Sequence, residues 1–227
     1  KLFFGVMTGT SADGIDIVLS SINSTSTDII DSESTDFSEN IKAEIKALCL
    51  PSSNELFRAH TLGIELSLLT AKIINSILAR NSLTPCDISA IGFHGQTIRH
   101  HPDTNPAFSI QIGCPSTLSH HTKISTITDF RMADIAAGGQ GAPLVPAFHK
   151  AVFHSSNENR IILNIGGIAN ITYLPAQSDT RLSGFDTGPG NTLLDEWVYK
   201  TLQKSYDAEG EWAKCGDIIP SLLESMM

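Results

Sequence analysis

The chain has 227 residues, 41% of them hydrophobic, enough to bury a sizeable core in one large or two small domains and too many for a disordered chain. Lys and Arg number 15 against 24 Asp and Glu, a net charge of -9, so the basic face that a nucleic-acid partner needs is missing. Four widely spaced cysteines without a C-x-x-C pair argue against a zinc knuckle or redox dithiol and suit a reduced, cytoplasmic protein.

The opening stretch Lys1 to Met7 is apolar but turns polar at Thr8, too short for a secretion signal, and no later run reads as a membrane span. The expectation is a soluble, untargeted protein. Leu2 to Met7 and Ile15 to Ile22 read as strands joined by the glycine turn Thr8 to Gly14, with an edge strand around Thr27 to Ser32. Ile41, Ile45 and Leu48 mark one helix face ending before Pro51; Leu62, Leu66, Leu69, Ile73 and Leu78 mark a longer helix from Asn54. Ile88 to Phe93 is a strand stopping at the loop His94-Gly95-Gln96-Thr97. Phe108 to Gly113 and Ile124 to Phe130 are β-rich. Alternating helix and strand predicts a mostly parallel sheet covered on its faces.

Arg131 to Gly141 reads as irregular, and Ala142 opens a helix through Phe153 with Pro143 in its first turn. The polar run Ser155 to Asn159 is the best linker. It sets residues 1–154 as an N-terminal lobe with the first glycine loop and a hinge helix, and 155–227 as the start of a second lobe. Ile161 to Thr172 is strand, Gly166-Gly167 turn, strand, a weak repeat of the N-terminal plan such as a two-lobed protein shows. Gly184 to Asn191 is a strand ending in a loop that opens the helix Asn191 to Leu202, with Asp186 at the junction.

Every one of these loops follows a strand end, where open α/β sheets gather ligands, and a crevice between two lobes is the natural site. Glycine turns can present N–H groups to phosphate oxygens, Thr10 and Ser11 add hydroxyls, and Asp13, Asp16 or Asp186 could hold a metal or take a proton. Neither a P-loop nor a dinucleotide fingerprint is present. Asp13 and Asp16 equally suit turn capping. The pairs His100-His101 and His120-His121 read as solvated, since adjacent side chains point apart and do not make a metal site. His94, at a strand end, divides evenly between a structural and a substrate role.

Six blocks in order carry a resemblance: Thr8-Gly9-Thr10-Ser11-Ala12-Asp13-Gly14-Ile15-Asp16, Phe93 to Thr97, Asp129-Phe130-Arg131, Ala137 to Pro146, Asn164 to Asn170 and Gly184 to Asn191. Together they resemble the anhydro-N-acetylmuramic acid kinases. The resemblance implies a two-lobed α/β fold of the actin-like ATPase (ribonuclease H-like) type, with the second lobe incomplete. It also implies ATP-dependent opening and phosphorylation of 1,6-anhydro-N-acetylmuramic acid in cell-wall recycling. On this basis Gly9, Thr10, Ser11, Ala12, Asp13, Gly14, Ile15 and Asp16 form the first phosphate loop, and Gly166, Gly167 and Asn170 belong to the second. Asp186 is the catalytic base, beside a sugar held by Gln96, Thr97 and Arg131.

ATP and Mg²⁺ are the implied cofactors, with the metal-holding residue unassigned among Asp13, Asp16 and Asp186. An amino sugar is the implied partner, and a homodimer is the candidate assembly. The wider superfamily carries aspartate where this chain has Met7 and Asn164. Two rival readings remain: another sugar or acid kinase of the same fold, and a nucleotide- or sugar-binding regulator without turnover.

Overall fold

Apolar residues at alternate positions set the first strands, and helices that bury one stripe cover them. A computed structural model describes residues 1–9, 12–24, 26–177 and 182–226, and its contacts divide the chain into two units, Lys1–Leu144 and Val145–Met227. The expected lobe boundary at 154/155 falls one helix later than this division, because the helix containing His149 packs with the second unit.

In the first unit, β1 (Leu2–Met7), β2 (Gly14–Ile22) and β3 (Thr27–Asp36) form an antiparallel meander. Helices α1 (Glu39–Leu48) and α2 (Glu55–Arg80) follow. Then β4 (Ile88–Phe93) pairs parallel with β1, and β7 (Thr126–Ile127) parallel with β4, giving a five-stranded sheet of order β3-β2-β1-β4-β7. The sheet is therefore mixed rather than mostly parallel, since the glycine turn after β1 returns the chain as a hairpin instead of a helical crossover.

Ile15, Ile17 and Leu19 of β2 pack with Phe4 and Val6 of β1 and Ile91 and Phe93 of β4 against Leu62, Leu66, Ile74 and Ile77 of α2. Helix α2 is long and apolar enough to cross a membrane, contrary to the sequence expectation, but more than half of its most apolar window is buried in the protein. Its buried Ser67 and Thr70 hydroxyls donate to Gly63 O and Leu66 O, so the stripe buries no orphaned hydroxyl there. Ile74 is fully buried, and Ile74→Ala is expected to cost about 2–5 kcal/mol of unfolding free energy, measured by urea denaturation.

Three further elements depart from the sequence reading. His94 to Thr97 is a turn into a strand, β5 (Gln96–His101), which pairs antiparallel with β6 (Phe108–Ile112). After α3 (Pro115–Thr122), Arg131 lies in a helix, α4 (Phe130–Ala136), and not in an irregular stretch. The β-rich run 124–130 keeps only the two residues of β7.

The second unit opens with α5 (Val145–Phe153), where Pro146, not Pro143, occupies the first turn. Next, β8 (Arg160–Ile165), β9 (Ile168–Leu174) and β10 (Ser183–Pro189) form an antiparallel sheet, followed by α6 (Thr192–Leu202) and α7 (Pro220–Met226). Helix α5 covers one sheet face: His149 Nδ1 and Thr172 Oγ1 are 2.9 Å apart, and a Cβ on Gly184 would meet Pro146 Cγ at 2.7 Å. The opposite face carries the exposed row Leu163 and Phe185 flanking Ile171.

Candidate active site

The first glycine turn is built on Gly9. Its carbonyl accepts from Ala12 N at 3.2 Å, and Thr10 and Ser11 between them lie outside the described residues. The same carbonyl accepts from Gln96 Nε2 at 3.2 Å. Ala12 is buried with φ 58, and Asp13 O receives Phe37 N at 2.8 Å. The remaining three candidates belong to β2. A Cβ on Gly14 would stand 2.5 Å from Thr35 O, the Ile15 side chain lies in the core, and the Asp16 carboxylate accepts from Ser34 Oγ at 2.5 Å.

Gly95 (φ 75) turns β4 into β5 where a Cβ would stand 2.7 Å from Ile112 O. Its carbonyl collects the buried Thr8 Oγ1 at 2.8 Å and His94 Nδ1 at 2.6 Å. Gln96 is fully buried, and its Nε2 also donates to Thr97 O at 3.2 Å. Two carbonyl partners fix which end of the amide is nitrogen, so the other end is Oε1, a buried acceptor with no partner. Thr97 Oγ1 receives Gln111 Nε2 at 3.2 Å.

Arg131, at the start of α4, donates from Nε to His94 Nε2 at 2.9 Å and from Nη1 to Gly141 O at 2.9 Å. The Asp134 carboxylate on the same helix is occupied elsewhere: its Oδ2 accepts Gly141 N at 2.7 Å. Arg131 thus has no carboxylate partner among the described residues, an arrangement in which a half-buried cation is left to bind an outside anion. Desolvation holds its pKa below the usual arginine value. Burial, then the Arg131 charge, lowers the His94 pKa below 6.5. Gln96, Thr97, His94, Arg131 and the Gly9 turn are therefore joined through one hydrogen-bonded turn, with Thr8 and Gly141 as supports that sequence reading left out. A threonine between an apolar strand and a glycine turn was the available signal for Thr8.

In the second unit, Gly166-Gly167 turns β8 into β9, and the start of α6 clamps it. Gly190 N donates to Gly167 O at 2.8 Å, Asn191 N to Gly166 O at 2.9 Å, and Thr192 Oγ1 to Gly167 O at 2.6 Å. Gly190 is required here, since its Cβ would be 2.0 Å from Gly166 O. Asp186 sits within β10, three residues before the strand ends, rather than at the strand-to-helix junction. There it pairs across the sheet with Asn170, which pairs with Asn164, so the three form one polar cross-strand row. This is the face α5 covers, with Gly184 and Thr172 two residues further along the strands. The Asp186 carboxylate is exposed and has no hydrogen-bond partner among the described residues. Asn164 opens the block expected to form the second phosphate loop, and the register places it opposite Asn170.

Among the described residues no group of three His, Cys, Asp or Glu could hold a metal by itself. Asp186 with two neighbouring amide oxygens fits a cation that keeps most of its waters and takes its other ligands from phosphates, as Mg²⁺ does.

A family model described as anhydro-N-acetylmuramic acid kinase matches residues 1–227. A relative of that name from Saccharophagus degradans is 48% identical over 100% of this chain and 62% of its own length. One from Shewanella pealeana is 45% identical over 99% of this chain and 61% of its own length. The chain thus spans about three fifths of these relatives. Among solved structures, an Aquifex aeolicus Ppx/GppA phosphatase aligns with 88% of this chain and 56% of its own, at 11% identity and a TM-score of 0.43.

Proposed function

The chain belongs to the anhydro-N-acetylmuramic acid kinase family, and from that we propose that its protein uses ATP to open and phosphorylate 1,6-anhydro-N-acetylmuramic acid, giving N-acetylmuramic acid 6-phosphate for cell-wall recycling in the cytoplasm. The observation that carries this reading is the row Asn164, Asn170, Asp186, which sets one unpartnered carboxylate beside a glycine turn.

The chemistry suits a lone carboxylate. Asp186 takes a proton from water as it attacks the anomeric carbon, and the bond from that carbon to O6 breaks on the opposite side, as in an inverting glycosidase step. O6 then attacks the γ-phosphoryl group. Phosphoryl transfer captures the charge a glycosidase's acid would neutralise, so a second carboxylate is unnecessary. The Gly9 and Gly166-Gly167 turns are assigned to the phosphates, with Thr10 and Ser11 supplying hydroxyls. Mg²⁺, held through water by Asp186, Asp13 or Asp16, would neutralise phosphate charge when bound. Gln96 Oε1 is suited to a sugar N–H or O–H donor, Thr97 to a ring hydroxyl, and Arg131 to the lactyl carboxylate.

Oxygen-18 water tests the reading in the full-length protein. Label at C1 of the phosphosugar is the expected result. Unlabelled phosphosugar from an already open sugar would instead identify a plain sugar kinase, and ATP or sugar binding with no product would identify a regulator.

A further inference from the structure

We propose that His94 is a positioning residue for Arg131: as the neutral Nδ1–H tautomer it accepts the guanidinium Nε–H, and in that state alone it holds Arg131 in place for the sugar's carboxylate. The inference rests on the substrate reading above.

Both ring nitrogens are committed. Gly95 O, 2.6 Å away, is a pure acceptor, so Nδ1 must carry the hydrogen; Nε2, 2.9 Å from Arg131 Nε, must then be the lone-pair acceptor. Arg131 Nη1 is tied to Gly141 O, which leaves the Nη2 edge without a protein acceptor among the described residues. Two anchors on separate loops hold the fork, and neither is a carboxylate that would compete with an incoming anion. A histidine that cannot be charged while it serves as acceptor is an unusual partner for an arginine. Its consequence is directional.

A second proton at Nε2 converts that acceptor into a donor facing Nε–H at 2.9 Å and sets two cations side by side. The guanidinium must then leave its position. Nearby, burial and Arg131 also lower the pKa of His100 on β5, and Asp134 of α4 gives its carboxylate to Gly141 N. Since burial and Arg131 lower the folded-state pKa of His94, the neutral form predominates at neutral pH and is lost as the pH falls through the lowered value.

The test is calorimetric binding of 1,6-anhydro-N-acetylmuramic acid to the full-length protein between pH 5 and 7.5, with folding followed by circular dichroism. The anhydro sugar lacking the lactyl group serves as a comparison. Affinity for the acid is expected to weaken by up to about tenfold per pH unit below the imidazole pKa, while the uncharged analogue shows no such dependence. Glutamine at this position offers an oxygen acceptor that does not titrate, so H94Q should abolish the pH dependence. A flat wild-type profile, or a drop that persists in H94Q, overturns the inference while leaving the substrate reading intact. Failure of the acid to bind at every pH overturns that reading instead. In that case ¹⁵N NMR of the imidazole still decides the His94–Arg131 pairing: the Nδ1–H tautomer with a pKa that rises in R131Q is expected, and an Nε2–H tautomer or an unmoved pKa refutes it.

Discussion

Asp186→Asn in the full-length protein is expected to lower kcat by about 10²–10⁴-fold. The substitution keeps the shape of the side chain and its place opposite Asn170, but an amide cannot take a proton from water. At 1.36 kcal/mol per decade the loss is about 3–5 kcal/mol of transition-state stabilisation. Because O6 becomes a nucleophile only when the anhydro bond breaks, ring opening and ADP release should fall together. Stopped-assay product analysis with oxygen-18 water measures both. Phosphosugar formed at near wild-type rate would remove Asp186 from the role of base, and a variant that opened the ring without releasing ADP would break the coupling.

Gly190→Ala should have the second large effect, this time on the fold. The added Cβ meets Gly166 O at 2.0 Å and Ala169 N at 3.3 Å, backbone atoms that cannot rotate aside. Relieving the overlap separates the start of α6 from the Gly166-Gly167 turn and breaks the bonds from Gly190 N and Asn191 N. Overpacking of this kind costs about 1–3 kcal/mol or more, which lowers the melting temperature of a unit this size by roughly 4–8 °C per kcal/mol. Gly166→Ala supplies the contrast. Its Cβ would have Ile168 O at 3.8 Å as its nearest neighbour, an ordinary contact. The expected result is a wild-type melting temperature with weakened ATP binding, because the methyl group would stand where phosphate approaches. Equal ATP affinity in Gly166→Ala and wild type would remove this turn from the nucleotide site.

Elements whose partners lie close in sequence were legible from residue order. The β1/β2 and β8/β9 hairpins and the α2 stripe from Leu62 to Leu78 needed only alternation, glycine and helical spacing. What escaped depended on contacts between distant segments. Arg131 reads as loop beside so many glycines, but α4 holds it, and Phe130 at its start meets the sheet where a Cβ on Gly92 would lie 3.6 Å from the Phe130 ring. His94 stood out in the sequence as a strand-end histidine, but its pairing with Arg131 was not legible, since that partner lies on a helix distant in sequence. The polar row was hidden for a different reason. Strand register decides which side chains stand opposite one another, and a shift between Asp186 and Gly188 displaces the count at the point that matters. The first turn was legible only in part: Gly9 and Ala12 close it, whereas Gly14 is glycine because Thr35 O presses against it.

Thr8 on Gly95 O and Gln96 on Gly9 O stitch the first glycine turn to the β4–β5 turn from both sides. Neither segment can shift without carrying the other. On the proposed assignment, a ligand that satisfies the Gln96 oxygen would steady the Gly9 segment, and by reciprocity a ligand held at Gly9 would steady that amide. Under the proposed reaction, mutual reinforcement of this sort would restrain idle consumption of triphosphate, since both segments are held most firmly when the acceptor is already in place.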